Sequence, residues 1–278
     1  MSKEQDPVRV YLLPNLMTAG NLFCGFMAVL QIFQGTVART TENGNWVAPY
    51  ENAVLYILAA FVFDLLDGRL ARLGGQESPF GREFDSLADV ISFGIAPALL
   101  VYKIVLCEWE KAGLVIAFIY LACGAMRLAR FNVHSSMKEA GTATGEFTGF
   151  PIPAAAGLVA SITLALLRVY EKDNAIGNWK YLLAGVLFFL SIMMFSKYRY
   201  PSFKKIDWRT RKSVPTVLVI IAVSALVVLY YHIGLAILFT SYLLYGFFRP
   251  HISHAWRKYL EVHSHEDEEP EGEESGKD

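Results

Sequence analysis

Polar positions along the chain are sparse and clustered, and between them run long stretches in which nearly every position is apolar. A helix that is apolar all round belongs in the core of a large protein or in a membrane. A bilayer core of about 30 Å takes about 20 such residues per crossing. Eight stretches approach that length, at about 12–36, 50–73, 83–106, 112–133, 152–170, 179–197, 213–231 and 233–249. Only Tyr231-His232-Ile233-Gly234 separates the last two, which therefore read as a hairpin. The pattern predicts an all-α, polytopic membrane domain over 12–250, with a short segment at 1–11 and a polar tail at 251–278. The opening MSKEQDPVR lacks an apolar run ending in a small-residue cleavage site, so no cleaved signal peptide is expected.

Composition agrees with the pattern. Of 278 residues, 54% are hydrophobic and 18% charged, against about 45–50% and about 25% in soluble domains. Three cysteines, Cys24, Cys107 and Cys123, all in or beside apolar stretches, cannot form a disulfide framework. The net charge of −1 averages two unlike regions: from His263 onward there are eight acids and one lysine, whereas residues 1–260 hold 24 Lys and Arg against 17 Asp and Glu. With eight crossings, one side of the membrane collects 18 basic residues and the other 6. The basic side is cytoplasmic by the positive-inside rule, so both termini are expected there. The absence of an organellar transit segment favours a bacterial plasma membrane. Seven of the basic residues, interleaved with aromatics, fall between Lys197 and Lys212. Beside a crossing they suit anionic lipid headgroups, and no nucleic-acid partner is expected.

Against this apolar background four aspartates stand out. Asp64 and Asp67 fall in the second stretch, three residues apart; Asp85 and Asp89 fall in the third, four apart. Each pair shares one helix face, and the two helices run in opposite directions from a short connection, which places the pairs at similar depth. An intramembrane carboxylate costs several kcal/mol even by the lower estimates and is usually partnered and functional. Four of them together would repel one another unless cations intervene. Oxygen donors without a neighbouring His or Cys suit Mg²⁺, Mn²⁺ or Ca²⁺ rather than zinc. Four acids suffice for a two-metal centre, the kind that clamps the attacking and leaving oxygens of a displacement at phosphorus. Gly68, Ala71 and Arg72 continue the face of Asp64 and Asp67, and Gly81 lies one turn before Asp85. Small residues admit a bulky ligand, and the arginine fork suits phosphate.

The run Asp64-x2-Asp67-Gly68-x2-Ala71-Arg72-x8-Gly81-x3-Asp85-x3-Asp89 resembles the signature of the CDP-alcohol phosphatidyltransferase family, with every fixed position filled. The resemblance implies a six-helix catalytic core and displacement of CMP from a CDP-linked lipid by an alcohol, assisted by two divalent cations, Mg²⁺ or Mn²⁺. It implies that Asp64 and Asp85 bridge the two metals, that Asp67 binds the first and Asp89 the second, and that Asp89 is the base for the acceptor hydroxyl. Gly68, Ala71, Arg72 and Gly81 would form the CDP-diacylglycerol pocket, with Ser78 as a further phosphate contact. Pro14-Asn15-Leu16-Met17-Thr18 resembles the family's first-helix motif, so Asn15 and Thr18 would approach the nucleotide. Arg127-Leu128-Ala129-Arg130-Phe131-Asn132 and Gly149-Phe150-Pro151-Ile152-Pro153 resemble the phosphatidylserine synthase branch, as do two C-terminal crossings beyond the core. Homodimerisation is also implied.

Serine is a zwitterion and needs a cationic partner for its carboxylate. Arg127, Arg130 and Asn132 are the candidates, Arg130 foremost; the same arginines would suit glycerol 3-phosphate or inositol phosphate. The stretch from Ser135 to Gly149 is long enough to cover the site. A cation transporter built on the four aspartates is the alternative from another class, but it needs access from both faces, and all four acids lie toward one.

Overall fold

The apolar stretches form helices that pack side by side, and no strand occurs among the described residues, which are 12–41, 45–73, 78–139, 149–173, 178–196 and 231–248 of a computed structural model. Helices α1 (Leu12–Arg39) and α2 (Val47–Leu73) form an antiparallel hairpin in contact along most of its length. Next come α3 (Pro79–Asp89), a π-helical stretch (Val90–Ile95) and α4 (Ala96–Ile104), which together make one continuous rod. A 3-10 turn (Leu106–Trp109) leads into α5 (Glu110–Glu139), followed by α6 (Ile152–Asp173), α7 (Trp179–Phe195) and α8 (Tyr231–Phe248).

Four of these rods are long and apolar enough to cross a bilayer: Leu12–Arg39, Pro79–Ile104, Leu106–Met137 and Ile152–Tyr170. Trp179–Phe195 and Gly234–Tyr245 are shorter apolar helices, and α2 has the length but is interrupted by Glu51, Asp64, Asp67, Arg69 and Arg72. The chain is a polytopic helical membrane protein. The expected crossing at 213–231, the basic cluster at 197–212, the end segments 1–11 and 249–278 and most of the 135–149 stretch lie outside the described residues.

Element ends differ from expectation where local chemistry overrides the apolar pattern. The third rod starts at Pro79 rather than near 83, because the Ser78 hydroxyl caps it by accepting from the Gly81 N–H at 3.0 Å, and proline suits the first turn. It is also not a plain α-helix: the π-helical stretch begins directly after Asp89. Such insertions re-aim side chains and are frequent at functional sites.

Many large apolar residues lie on the outside of the bundle. Phe23, Phe26 and Phe33 of α1, Leu114 and Phe118 of α5, and Phe188 and Ile192 of α7 are exposed, as lipid contact allows. The interior mixes alanines such as Ala28, Ala53, Ala60, Ala96, Ala155, Ala156 and Ala160 with larger buried side chains, among them Tyr50, Phe93, Leu100, Tyr120 and Phe150. Because lipid is as apolar as the core, close packing rather than water exclusion holds such helices together. One close approach is that of α1 to the π-helical stretch. A Cβ on Gly25 would overlap the Ser92 side chain and lie 2.8 Å from its Cα. Ser92 uses that proximity to donate to the Asn21 carbonyl at 2.9 Å, while the buried Tyr120 hydroxyl of α5 donates to the Phe93 carbonyl at 3.1 Å. The irregular turn is thus tied from both sides, and its position relative to Asp89 is fixed.

Candidate active site

Buried polar side chains single out one end of the bundle. Among the described residues they are Thr18, Asn21, Asp67, Ser78, Asp89, Ser92, Ser161, Thr163 and Ser191. The last three bond back to carbonyls of their own helix, Leu158, Val159 and Leu187, an ordinary way to hide a hydroxyl. The other six all lie where the first half of α1, the end of α2, α3 and the π-helical stretch meet.

Oxygens of Asp64, Asp67 and Asp85 lie within 4.8 Å of one another. Two come from the last turns of α2 and one from α3, so the i, i+3 spacing and the antiparallel run of the helices bring them together. Asp67 is buried and its Oδ2 accepts from the Thr18 hydroxyl at 3.0 Å; the same hydroxyl is 3.2 Å from the Pro14 carbonyl. Asp89, also buried, stands beside this trio, within electrostatic reach of all three carboxylates. Its Oδ1 accepts from the Asn21 amide at 3.0 Å. Neutral donors therefore orient both buried acids without neutralising them. Three convergent carboxylates with no His or Cys among them form an all-oxygen donor set that fits a hard divalent cation.

Other buried polar atoms lie near this cluster. Asn15 Nδ2, Asn21 Oδ1 and Arg127 Nε are buried and make no hydrogen bond among the described residues. Buried polar groups left in this state call for a ligand, ion or water. Gly81 explains how Asn15 comes so close: a Cβ there would sit 3.2 Å from the Ser78 hydroxyl and 3.3 Å from Asn15 Oδ1. Any larger side chain would push Asn15 and Ser78 apart. Arg127 approaches from α5 and interacts electrostatically with Asp89 and Asp64.

The sequence model of the CDP-alcohol phosphatidyltransferase family matches residues 11–247, most of the chain and all of this site. The chain belongs to that family. Among its relatives, the CDP-diacylglycerol–serine O-phosphatidyltransferase of Helicobacter pylori strain J99 is 35% identical over 242 residues, covering 86% of this chain and 91% of the relative. The enzyme of the same name from Bacillus subtilis is 32% identical over 193 residues, covering 69% and 92%. The archaetidylserine synthase of Methanothermobacter thermautotrophicus is 31% identical over 191 residues, covering 68% and 69%.

Most residues named from the sequence come together in this member of the phosphatidyltransferase family. Asp64, Asp67 and Asp85 converge, Asp89 flanks them, and Asn15, Thr18, Ser78 and Gly81 line the same end. Gly68 follows Asp67 in the same turn of α2. The backbones of Ala71 and Arg72 are helical, but their side chains lie outside the described residues. The acceptor candidates divide. Arg127 reaches inward, whereas Arg130 is exposed, with its guanidinium 5.6 Å from the Phe195 ring centre. Asn132 is taken up by α3: its Nδ2 donates to Ser86 Oγ at 2.9 Å and to Glu83 Oε2 at 3.3 Å. Of the two arginines, Arg127 has a buried Nε and interacts electrostatically with Asp89 and Asp64, whereas Arg130 is exposed.

Asn21 and Ser92 were not expected from the sequence. The signal was present, since Asn21 lies three residues after Thr18 on the same face of α1, and an amide inside a membrane helix is seldom idle. Ser92 had no such signal, because only the π-helical turn brings it to α1.

Proposed function

We propose that this protein transfers the phosphatidyl group of CDP-diacylglycerol to L-serine, giving phosphatidylserine and CMP. The observation that carries the reading is the carboxylate cluster, an all-oxygen site for a cation-bound pyrophosphate, and the arginines of α5 offer a cationic seat for an acceptor carboxylate. Names of relatives with two kinds of lipid, diacylglycerol and archaetidyl, share serine as the other component, which supports serine as the acceptor here.

In this reading two divalent cations, Mg²⁺ or Mn²⁺, are held by Asp64, Asp67 and Asp85 with Asp89, and would supply charge neutralisation at the pyrophosphate and the departing CMP. Asn15, Thr18, Gly68, Ala71, Arg72, Ser78 and Gly81 shape the CDP-diacylglycerol pocket. The buried Asn15 amide offers its unused N–H groups to the nucleotide, and Arg72 serves the phosphates. Thr18 holds Asp67 in place while Asn21 fixes the rotation of Asp89. The serine hydroxyl attacks the phosphorus bonded to diacylglycerol, its proton passes to Asp89, and the bond to CMP breaks on the opposite side. A carboxylate is a weak base for a hydroxyl, so proton transfer comes late in the displacement. Arg127 receives the serine carboxylate, and Arg130 and Asn132 follow it on the same helix.

The membrane setting belongs to the same proposal: a bacterial plasma membrane, with both termini and the active site cytoplasmic, eight crossings over 12–250 and a polar tail over 251–278. Homodimer assembly is drawn from the family resemblance alone. The test is product identity. Purified protein with CDP-diacylglycerol and isotope-labelled L-serine should yield labelled phosphatidylserine in equal amount to CMP. Glycerol 3-phosphate or inositol phosphate in place of serine should yield little CMP. CMP release that prefers either of these acceptors contradicts the reading.

A further inference from the structure

We propose that Asn21 determines acceptor specificity, its buried side-chain carbonyl receiving the ammonium of serine beside the carboxylate that takes the hydroxyl proton. The inference rests on the serine reading above and assigns the substrate group that reading leaves without a partner.

Asn21 stands on the face of α1 that carries Thr18 one turn earlier and Gly25 one turn later. It is fully buried. An ionised carboxylate can only accept hydrogen bonds, so the Asn21 Nδ2 that meets Asp89 Oδ1 at 3.0 Å fixes which way round the amide stands. Reversing it would set Oδ1 against a carboxylate oxygen. The main chain is held as well. Ser92 Oγ donates to the Asn21 carbonyl at 2.9 Å, across the close approach that Gly25 allows.

Oδ1 is thereby left as an acceptor without a donor. It is buried and makes no hydrogen bond among the described residues. The hydroxyls of Thr18 and Ser92 cannot serve it, because each has one proton and spends it elsewhere: Thr18 on the Pro14 carbonyl and Asp67, Ser92 on the main chain of α1. An amide oxygen left unpaired inside a membrane bundle is costly and calls for a donor from outside the chain.

The chemistry of the acceptor supplies one. An amide carries its oxygen and its nitrogen on the same carbon, so Oδ1 lies next to the group that touches Asp89. A serine whose hydroxyl approaches Asp89 carries its ammonium on the adjoining carbon, so the two neighbouring polar groups of the substrate meet the two neighbouring acceptors of the Asp89–Asn21 pair. An ammonium is a donor only and makes a charge-assisted bond. Glycerol 3-phosphate and inositol phosphate offer neutral hydroxyls there, with a weaker bond. Asn21 would on this account select an amino alcohol, while its other end holds Asp89.

The test compares L-serine with 3-hydroxypropanoate, which keeps the hydroxyl and the carboxylate but has hydrogen in place of the ammonium. kcat/KM for each would be measured in the wild type, in Asn21→Leu and in Asn21→Asp. The wild type should prefer serine, and Asn21→Leu should cut that preference by about 10- to 150-fold. Asn21→Asp keeps an acceptor oxygen and loses the amide donor, so it should lower kcat for both acceptors and retain the preference. A role confined to orienting Asp89 would slow both acceptors equally, so an unchanged preference in Asn21→Leu overturns the proposal. An equal loss of preference in the two variants overturns it too. Mn²⁺ bound per chain, counted by electron paramagnetic resonance, is the second readout: loss of an ion in Asn21→Leu with the preference retained would make Oδ1 a cation ligand instead. Should Asn21→Leu fail to fold, Asn21→Asp and the wild type still decide, because a wild type that uses both acceptors alike contradicts ammonium recognition. CMP release with glycerol 3-phosphate and with neither of the two acids would bring down the functional reading, and this proposal with it, before any variant is compared.

Discussion

The two ends of the bundle differ in how like charges are spaced. At the end away from the aspartates, opposite charges are paired or shielded. Arg168 meets Glu51 at 3.3 Å, Lys180 meets Glu108 at 2.8 Å, and Arg39 lies 5.2 Å from the Trp46 ring centre while donating to the Lys103 carbonyl. At the other end, three like charges come within 4.8 Å and a fourth stands beside them, and the two buried acids have hydroxyl and amide donors for company. The first arrangement serves the fold. The second opposes it, because gathering carboxylates away from water is unfavourable until a cation arrives. Such an expense persists where function requires it.

If the comparison is right, substitutions at the two ends should separate activity from stability. The largest effect is expected at the cluster. Asp64→Asn, Asp67→Asn or Asp85→Asn should abolish serine-dependent CMP release, and in the absence of divalent cations each should leave the melting temperature equal to or above that of the wild type. Asp89→Asn should be equally inactive but still bind CDP-diacylglycerol, as a direct binding measurement would reveal. Retained cation-dependent turnover in any of the first three would remove the basis for a metal centre there.

Next in size is the acceptor arginine. Arg127→Ala should raise KM for serine by about 10- to 150-fold, the worth of a charge-assisted hydrogen bond of about 1.5–3 kcal/mol, with little change in CDP-diacylglycerol binding. Arg130→Ala, at an exposed position over Phe195, should change serine KM far less. Kinetics on the two purified variants would sharpen the boundary of the site, and the opposite order would move the acceptor pocket outward. A smaller loss is expected from the residues that hold the buried acids. Thr18→Val and Asn21→Leu should lower kcat by about 10- to 100-fold, as loss of an outer-sphere partner commonly does, and should weaken cation dependence. The far end should matter least. Glu51→Gln should lower stability by about 1 kcal/mol or less and leave both KM values alone; a clear change in turnover would blur the distinction between the ends.

How much of this was legible in the sequence follows from the kind of signal each feature leaves. The helical membrane architecture follows from long apolar runs, and the carboxylate end from four aspartates at i, i+3 and i, i+4 spacing, since charges in such runs are conspicuous. The start of α3 at Ser78-Pro79 was written in its capping residues but hidden by Gly81, Arg82 and Glu83, which dilute the apolar pattern. The π-helical turn left no such trace. It depends on Gly25 allowing α1 to approach and on Tyr120 and Ser92 bonding across helices, and those contacts join residues far apart in the chain. The inward turn of Arg127 and outward turn of Arg130 also escaped, because three residues of separation on one helix decide little until the neighbouring helices are in place.

The central claim is that like charges are gathered at one end in order to hold cations. Its most direct test is to count Mn²⁺ bound per chain by electron paramagnetic resonance, with CDP-diacylglycerol present, in the wild-type protein and in Asp85→Asn. The account predicts two ions per chain in the wild type and a clear loss in the variant, together with a cation-dependent rise in melting temperature, worth about 2.7 kcal/mol at 100 times Kd, in the wild type only. Equal Mn²⁺ binding by the two proteins, or full transfer activity in excess chelator, would contradict it.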